Sequence, residues 1–173
     1  MRRDHFEIFG LEPAFRLETE RLERAYREIQ ASIHPDRFAH AADADRRASM
    51  QWTARVNEAY RTLKSPVQRG KYLLELHGVD VAFETNTAMP ADFLQRQLEL
   101  REVLEEAQGK RDAAALSRLR AELREEERAL EAALADALDA KRDYGLAAGL
   151  VRKLMFLERV DAEIDEAFET MDE

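Results

Sequence analysis

Between Asp112 and Arg142 the leucines stand at positions 116, 119, 123, 130, 134 and 138. An α-helix returns a side chain to the same face about every 3.6 residues and a strand every second residue, so this register is that of a long amphipathic helix. The same period recurs along the chain. Leu22, Ala25, Tyr26, Ile29 and Ile33 form one stripe, and Trp52, Val56, Ala59, Tyr60 and Leu63 form another. Phe93, Leu94, Leu98, Leu100 and Leu104 precede the leucine repeat, and Leu150, Leu154, Leu157, Ile164 and Phe168 follow it. There is no convincing strand signal, so the expected fold class is all-α.

Punctuation residues divide these stripes. Pro35 disfavours helical conformation at His34, so the first long helix should stop near Ile33. An Ala/Asp-rich polar stretch covers 39–45, and the next helix ends before Ser65-Pro66. A single turn around Phe6, Ile8, Phe9 and Leu11 is closed by Gly10 and Pro13, and a last short helix runs from Val67 to about His77. The expectation is an antiparallel helical hairpin with short flanking helices over 1–76. Helical periodicity then lapses between Gly78 and Ala91, where Thr85, Asn86, Thr87 and Pro90 cluster. Gly78 to Phe83 is too apolar for a free tether, so 77–91 reads as a linker packed between two modules. Three further helices follow: Asp92–Gln108 stopped by Gly109, Asp112 to about Arg142 broken by Gly145, and Leu146–Met171. Short connections between long amphipathic helices imply a three-helix bundle over 92–173. The leucine repeat is equally compatible with an intermolecular coiled coil.

Charge follows the same division. The chain has 173 residues and a net charge of −9, of which residues 1–76 carry +2 and 77–173 carry −11. An acidic majority weighs against sequence-independent nucleic-acid binding, which needs Lys and Arg on phosphates. There are no cysteines, which removes disulfides and thiolate metal sites. No run approaches 18 apolar residues and no apolar stretch follows Arg2 and Arg3, so neither a membrane span nor a signal peptide is expected. A cytoplasmic location fits.

The most specific motif is His34-Pro35-Asp36. Pro35 forces the chain out of the helix, which displays His34 and Asp36 beside its end, and a carboxylate there suits a bidentate contact with a partner's arginine. On the preceding helix Arg24 and Arg27 are three apart and share a face, which is either an ordinary solvated face or a basic one for a partner.

In this context the sequence resembles the J-domain family, co-chaperones of DnaK-type ATPases. Asp4-His5-Phe6-Glu7-Ile8-Phe9-Gly10-Leu11 is similar to the family's opening, Leu22–Ile33 to its second helix, and His34-Pro35-Asp36-Arg37-Phe38 to its signature loop. Val56–Leu63 is similar to the third helix, and Gln68-Arg69-Gly70-Lys71-Tyr72 to the fourth, with Leu73 where an Asp is usual. The resemblance implies that His34, Pro35, Asp36, Arg24 and Arg27 contact the ATPase. Glu23 and Glu28 stand where many relatives are basic.

Gly70–Gly78, Phe93–Glu102 and Val151–Leu157 narrow the resemblance to J-proteins of the HscB type, over essentially the whole chain. That resemblance implies a co-chaperone of iron–sulfur cluster biogenesis, which binds an IscU-like scaffold protein and delivers it to an HscA-like ATPase. It further implies a scaffold-binding patch of Leu94, Leu98, Glu99, Glu102, Glu106 and Phe156, with Gln95 where an apolar residue is usual. Considered apart from the family, these leucines read as bundle core and Glu99 and Glu102 as solvated charge.

His34, Asp36 and His40 have tolerable spacing for a metal, but nothing supplies a second shell or rigid scaffold, so no metal or other cofactor is expected. Glu105-Glu106 and Glu125-Glu126-Glu127 lie on polar helix faces without a pocket-forming pattern, and no Gly-rich phosphate loop is present. The chain is not expected to be an enzyme.

Overall fold

The computed structural model describes residues 3–33, 42–81 and 90–172. Its chain forms two compact units, Met1–Leu73 and Leu74–Glu173. The division falls inside a continuous helix, which is why periodicity alone could not locate it.

In the first unit, α1 (His5–Ile8) is started by a reciprocal cap. Asp4 Oδ1 accepts from the Glu7 amide at 2.8 Å, and the Asp4 amide donates to Glu7 Oε2 at 2.9 Å. It is ended by Gly10, whose φ of +63° is left-handed and open to glycine without penalty. That turn lets the Leu11 and Gly10 amides donate to the Phe6 and Glu7 carbonyls. One turn of helix thereby buries Phe6, Ile8, Phe9 and Leu11 together. α2 (Thr19–Ile33) and α3 (Asp43–Lys64) pack as an antiparallel pair, shown by partners that run in opposite directions: Glu23 with Lys64, Tyr26 with Tyr60, Gln30 with Asn57. Leu22, Val56, Ala59 and Leu63 are fully buried in this unit. α3 begins at Asp43, so the end of the Ala/Asp-rich stretch is helix; acidic Asp43 and Asp45 suit the positive end of a helix dipole. α4 (Pro66–Leu76) starts on a proline, whose missing N–H costs nothing in a first turn.

In the second unit, α4 closes at Gly78 (φ +73°), with the Gly78 and Val79 amides donating to the Glu75 and Leu74 carbonyls. His77 stacks on Tyr144 with ring centroids 4.3 Å apart. The three long helices are α5 (Ala91–Gly109), α6 (Ala113–Ala135) and α7 (Tyr144–Asp172). Their core holds Phe93, Leu100, Leu104, Leu116, Leu119, Leu123, Leu157, Val160 and Ile164. Burying one such side chain contributes roughly 1.5–3 kcal/mol. The leucine repeat is absorbed within the chain: Leu116, Leu119, Leu123, Leu134 and Leu138 are buried, and Leu130 packs partly against the core.

The two glycine stops are corrected. Gly109 is the last residue of α5, and the left-handed position two residues on is Arg111, at φ +50°. Its strain is offset by its own guanidinium, which donates to the Met171 carbonyl at 2.7 Å, an otherwise unfilled acceptor at the end of α7. Gly145 is likewise inside α7. The leucine helix ends instead in a π-helical turn (Asp136–Lys141) followed by Arg142 at φ +54°. The Asp143 side chain then accepts from the Leu146 amide at 3.0 Å and starts α7 two residues earlier than the apolar stripe implied.

Candidate functional site

Two surfaces gather the residues singled out from sequence. On α2, Arg24 and Arg27 are both exposed. The helix beneath them is fixed by its opposite side. Tyr26 stacks on Tyr60 with ring centroids 3.9 Å apart and donates from its hydroxyl to Asn57 Oδ1 at 2.9 Å. Gln30 Nε2 donates both to that hydroxyl, at 2.6 Å, and to Asn57 Oδ1, at 3.0 Å. These three side chains close a ring of hydrogen bonds in which every donor has an acceptor. It pins the last turns of α2 to α3 just before the His34-Pro35-Asp36 motif. His34, Pro35 and Asp36 lie outside the described residues, as does His40.

The second surface is on α5. Leu94 and Leu98 are one turn apart and remain 46% and 63% exposed, whereas Leu100 and Leu104 on the same helix are buried. The reading of Leu94 and Leu98 as bundle core therefore fails. Glu99, Glu102 and Glu106 are exposed on the same helix. Lys110 hydrogen-bonds Glu106 and, with its charge, holds that carboxyl below its usual range.

Phe156 occupies a different place from the one expected of a surface contact. It is 2% exposed and meets Phe93 edge-on with ring centroids 5.5 Å apart. Together with Leu157 and Val160 it belongs to the bundle core, and it meets α5 through Phe93. Lys153 Nζ sits 5.5 Å from the Phe93 ring centroid on the outer side of this pair.

Sequence reasoning missed Arg96. Its Nε and Nη2 both donate to Glu126 Oε2 on α6 at 3.2 Å, and Nη1 lies 3.7 Å from Glu99 Oε2. Gln95 Nε2 donates to the other Glu99 oxygen at 3.1 Å. Glu99 is thus held in place on both oxygens before any partner arrives. The i,i+3 spacing of Arg96 and Glu99 was visible in the sequence, but its bridge to α6 was not.

Among the described residues no three His, Asp or Glu side chains converge as a metal site. No helix among them is long and apolar enough to cross a membrane. The described residues of these surfaces present charge and apolar contact area. Their chemistry is that of protein recognition.

Comparison with known proteins agrees with this arrangement. A family model described as the HSCB C-terminal oligomerisation domain matches residues 89–165. A co-chaperone protein HscB homolog of Azoarcus sp. strain BH72 is 47% identical over 172 residues, covering 99% of this chain and 97% of the relative. One from Burkholderia mallei strain SAVP1 is 51% identical over 168 residues, 97% of this chain and 95% of the relative. Among solved structures, chaperone HscB from Vibrio cholerae superposes with a TM-score of 0.85 at 35% identity, covering 98% of this chain and 99% of the other.

Proposed function

The chain belongs to the HscB family of co-chaperones, and from that premise we propose that its two units serve two protein partners in the maturation of iron–sulfur proteins. The first unit engages a DnaK-type, HscA-like ATPase through Arg24 and Arg27 on α2 and through His34, Pro35 and Asp36. It contributes no reacting group and acts by binding one conformation of the ATPase more tightly than another, which is all a binding partner needs to change turnover. The second unit binds an IscU-like scaffold protein on α5 through Leu94, Leu98, Glu99, Glu102 and Glu106, with Phe156 packed against Phe93 of that helix. Holding both partners at once raises the effective concentration of one at the other. The protein is a cytoplasmic binding protein and not an enzyme.

The observation that carries this reading is the exposure of Leu94 and Leu98, one turn apart on α5, while Leu100 and Leu104 of the same helix are buried. Leaving two leucines in water forgoes stabilisation available to any helix able to bury them. A rim of carboxylates fits the edge of a protein interface, where polar groups keep access to water. The test has two arms. Calorimetric titration with the scaffold protein is expected to show Leu98→Ala weakening the complex about tenfold or more. Turnover of the partner ATPase is expected to lose its stimulation with Asp36→Asn. Full scaffold affinity in Leu98→Ala overturns the α5 assignment, and full stimulation by Asp36→Asn overturns the coupling.

A further inference from the structure

Three side chains between Ala91 and Lys110 are basic: Arg96, Arg101 and Lys110. Arg96 is held by Glu126 and Glu99, and Lys110 by Glu106. Arg101 is exposed and makes no hydrogen bond or ion pair with any described residue. Glu105 stands at the i,i+4 spacing of a helical ion pair, but an arginine that precedes its glutamate has the weaker of the two orientations. A planar fork of donors is therefore left open at the surface.

The neighbours of Arg101 define its place on the helix. An α-helix turns about 100° per residue, so Arg101, seven residues after Leu94, lies within about 20° of it. Leu94, Leu98 and Arg101 thus form one exposed row. The edge of that row nearer Arg101 leads through Gln97 to Phe93, which meets Phe156 and Lys153 of α7. The other edge leads through Glu102 and Glu106 to Glu99 and then to Arg96, which bridges to Glu126 of α6. The two leucines are therefore flanked by opposite signs of charge, carboxylates on the α6 side and Arg101 on the α7 side.

We propose that Arg101 is a specificity-determining contact of the α5 face and receives a carboxylate of the docked scaffold protein on the α7 side of Leu94 and Leu98. This rests on the reading of that face as the scaffold-binding surface; it adds a residue and requires an acidic side chain of the partner. The fork of an exposed guanidinium matches a carboxylate through two parallel bonds, a geometry that a lysine cannot supply. Docking over the leucines excludes water beside it, so the pair gains strength that an ion pair in open solvent lacks. A partner must bring a carboxylate to the α7 side and positive charge to the α6 side. Reversed docking would set like charges against each other, which fixes which way round the partner sits.

The experiment is calorimetric titration of the full chain with the IscU-like scaffold protein, paired with thermal unfolding of each variant alone. Arg101→Gln is expected to weaken binding about five- to tenfold, between the effect of an exposed ion pair and that of a desolvated one. Its unfolding midpoint should not move, because the exposed side chain ties down no described residue and glutamine suits a helix. Arg101→Lys should recover part of the affinity, and Arg101→Glu should lose more than Arg101→Gln. Arg128→Glu, at an exposed position on α6, makes the same change in net charge and should leave affinity at the wild-type level. Wild-type affinity in Arg101→Gln overturns the proposal, as does a midpoint that falls along with affinity. Equal losses in Arg101→Glu and Arg128→Glu also overturn it, because the effect would then be one of net charge. Leu98→Ala measured in parallel separates the two readings. If it alone loses affinity, the α5 face stands and the role of Arg101 falls; if neither it nor Arg101→Gln loses affinity, both fall.

Discussion

The two units are held together by different means. The first pairs α2 of 15 residues with α3 of 22, flanked by the single turn of α1 and by α4, and its loops are tied by polar side chains reaching to backbone. Arg69 donates from Nε to the Phe15 carbonyl at 2.7 Å and from Nη1 to the Leu63 carbonyl at 2.6 Å, with its guanidinium 4.9 Å from the Phe15 ring centroid. Tyr72 accepts the His5 amide at 3.0 Å. The second unit has helices of 19, 23 and 29 residues and is held by a continuous apolar seam, with ion pairs at its rim. Three long helices can bury a continuous row of leucines against one another; in the first unit only α2 and α3 are long, and polar ties fix the loops that join the short α1 and α4 to them. A unit built on a seam can leave two leucines in water and still fold.

That contrast can be broken at four points. The largest effect is expected from Leu123→Ala in the second seam, fully buried, at about 2–5 kcal/mol by denaturant unfolding. Leu98→Ala, 63% exposed on the same unit, should change stability by no more than about 0.5 kcal/mol. Equal losses in the two would erase the distinction between core and proposed docking face. Next comes Arg69→Met in the first unit, expected to cost about 2–3 kcal/mol because two carbonyls lose a charged donor at once. A cost near zero would mean that the polar ties are ornamental. Smaller and opposite in sign, Arg142→Gly should stabilise the second unit by up to about 1 kcal/mol, since only glycine adopts its left-handed φ freely.

The smallest effect concerns pH. Loss of hydration, and then the nearby charges of Asp161, Glu131 and Glu158, raise the Glu127 carboxyl above its usual range. Loss of hydration and the charge of Glu131 do the same for Glu158. A carboxyl with a raised folded pKa binds more protons folded than unfolded as pH falls through that pKa. Its contribution to stability therefore grows on mild acidification and is lost as pH rises. Glu127→Gln should raise the melting temperature at pH 7, with the gain shrinking as pH approaches the ordinary carboxylate range. Glu106 has the reverse sign: its tie to Lys110 helps above the ordinary carboxylate range and is lost as pH falls. A melting profile in which Glu127→Gln gives the same gain at every pH would contradict this assignment.

Much of the fold was legible because helices advertise their period. The seam leucines, the end of α3 before Ser65-Pro66 and a start of α4 within one residue of Val67 follow from local rules that the surroundings do not override. The misses share one cause. Gly109 and Gly145 look like terminators, yet the left-handed turns went to Arg111 and Arg142, because tertiary contacts and the π-helical turn set where each helix could end. The candidate surface was legible in part. Leu94 and Leu98 had the right spacing, but whether a leucine at that spacing faces core or solvent depends on how the neighbouring helices pack. Phe156 shows the same limit from the other side.

Phe156 packs against Phe93 on α5, the helix that carries the proposed docking face, and is at the same time part of the bundle's core. A change there cannot be confined to recognition. Loosening it opens a void in the fold, and in a cell partly unfolded chains are cleared by proteases. Damage at this position would be counted first as missing protein and only second as a weaker partner. Leu94 and Leu98, standing in water, can be altered at little cost to abundance. The proposed face would therefore have a surface layer free to adapt to a changing partner and a core residue beside it that is not.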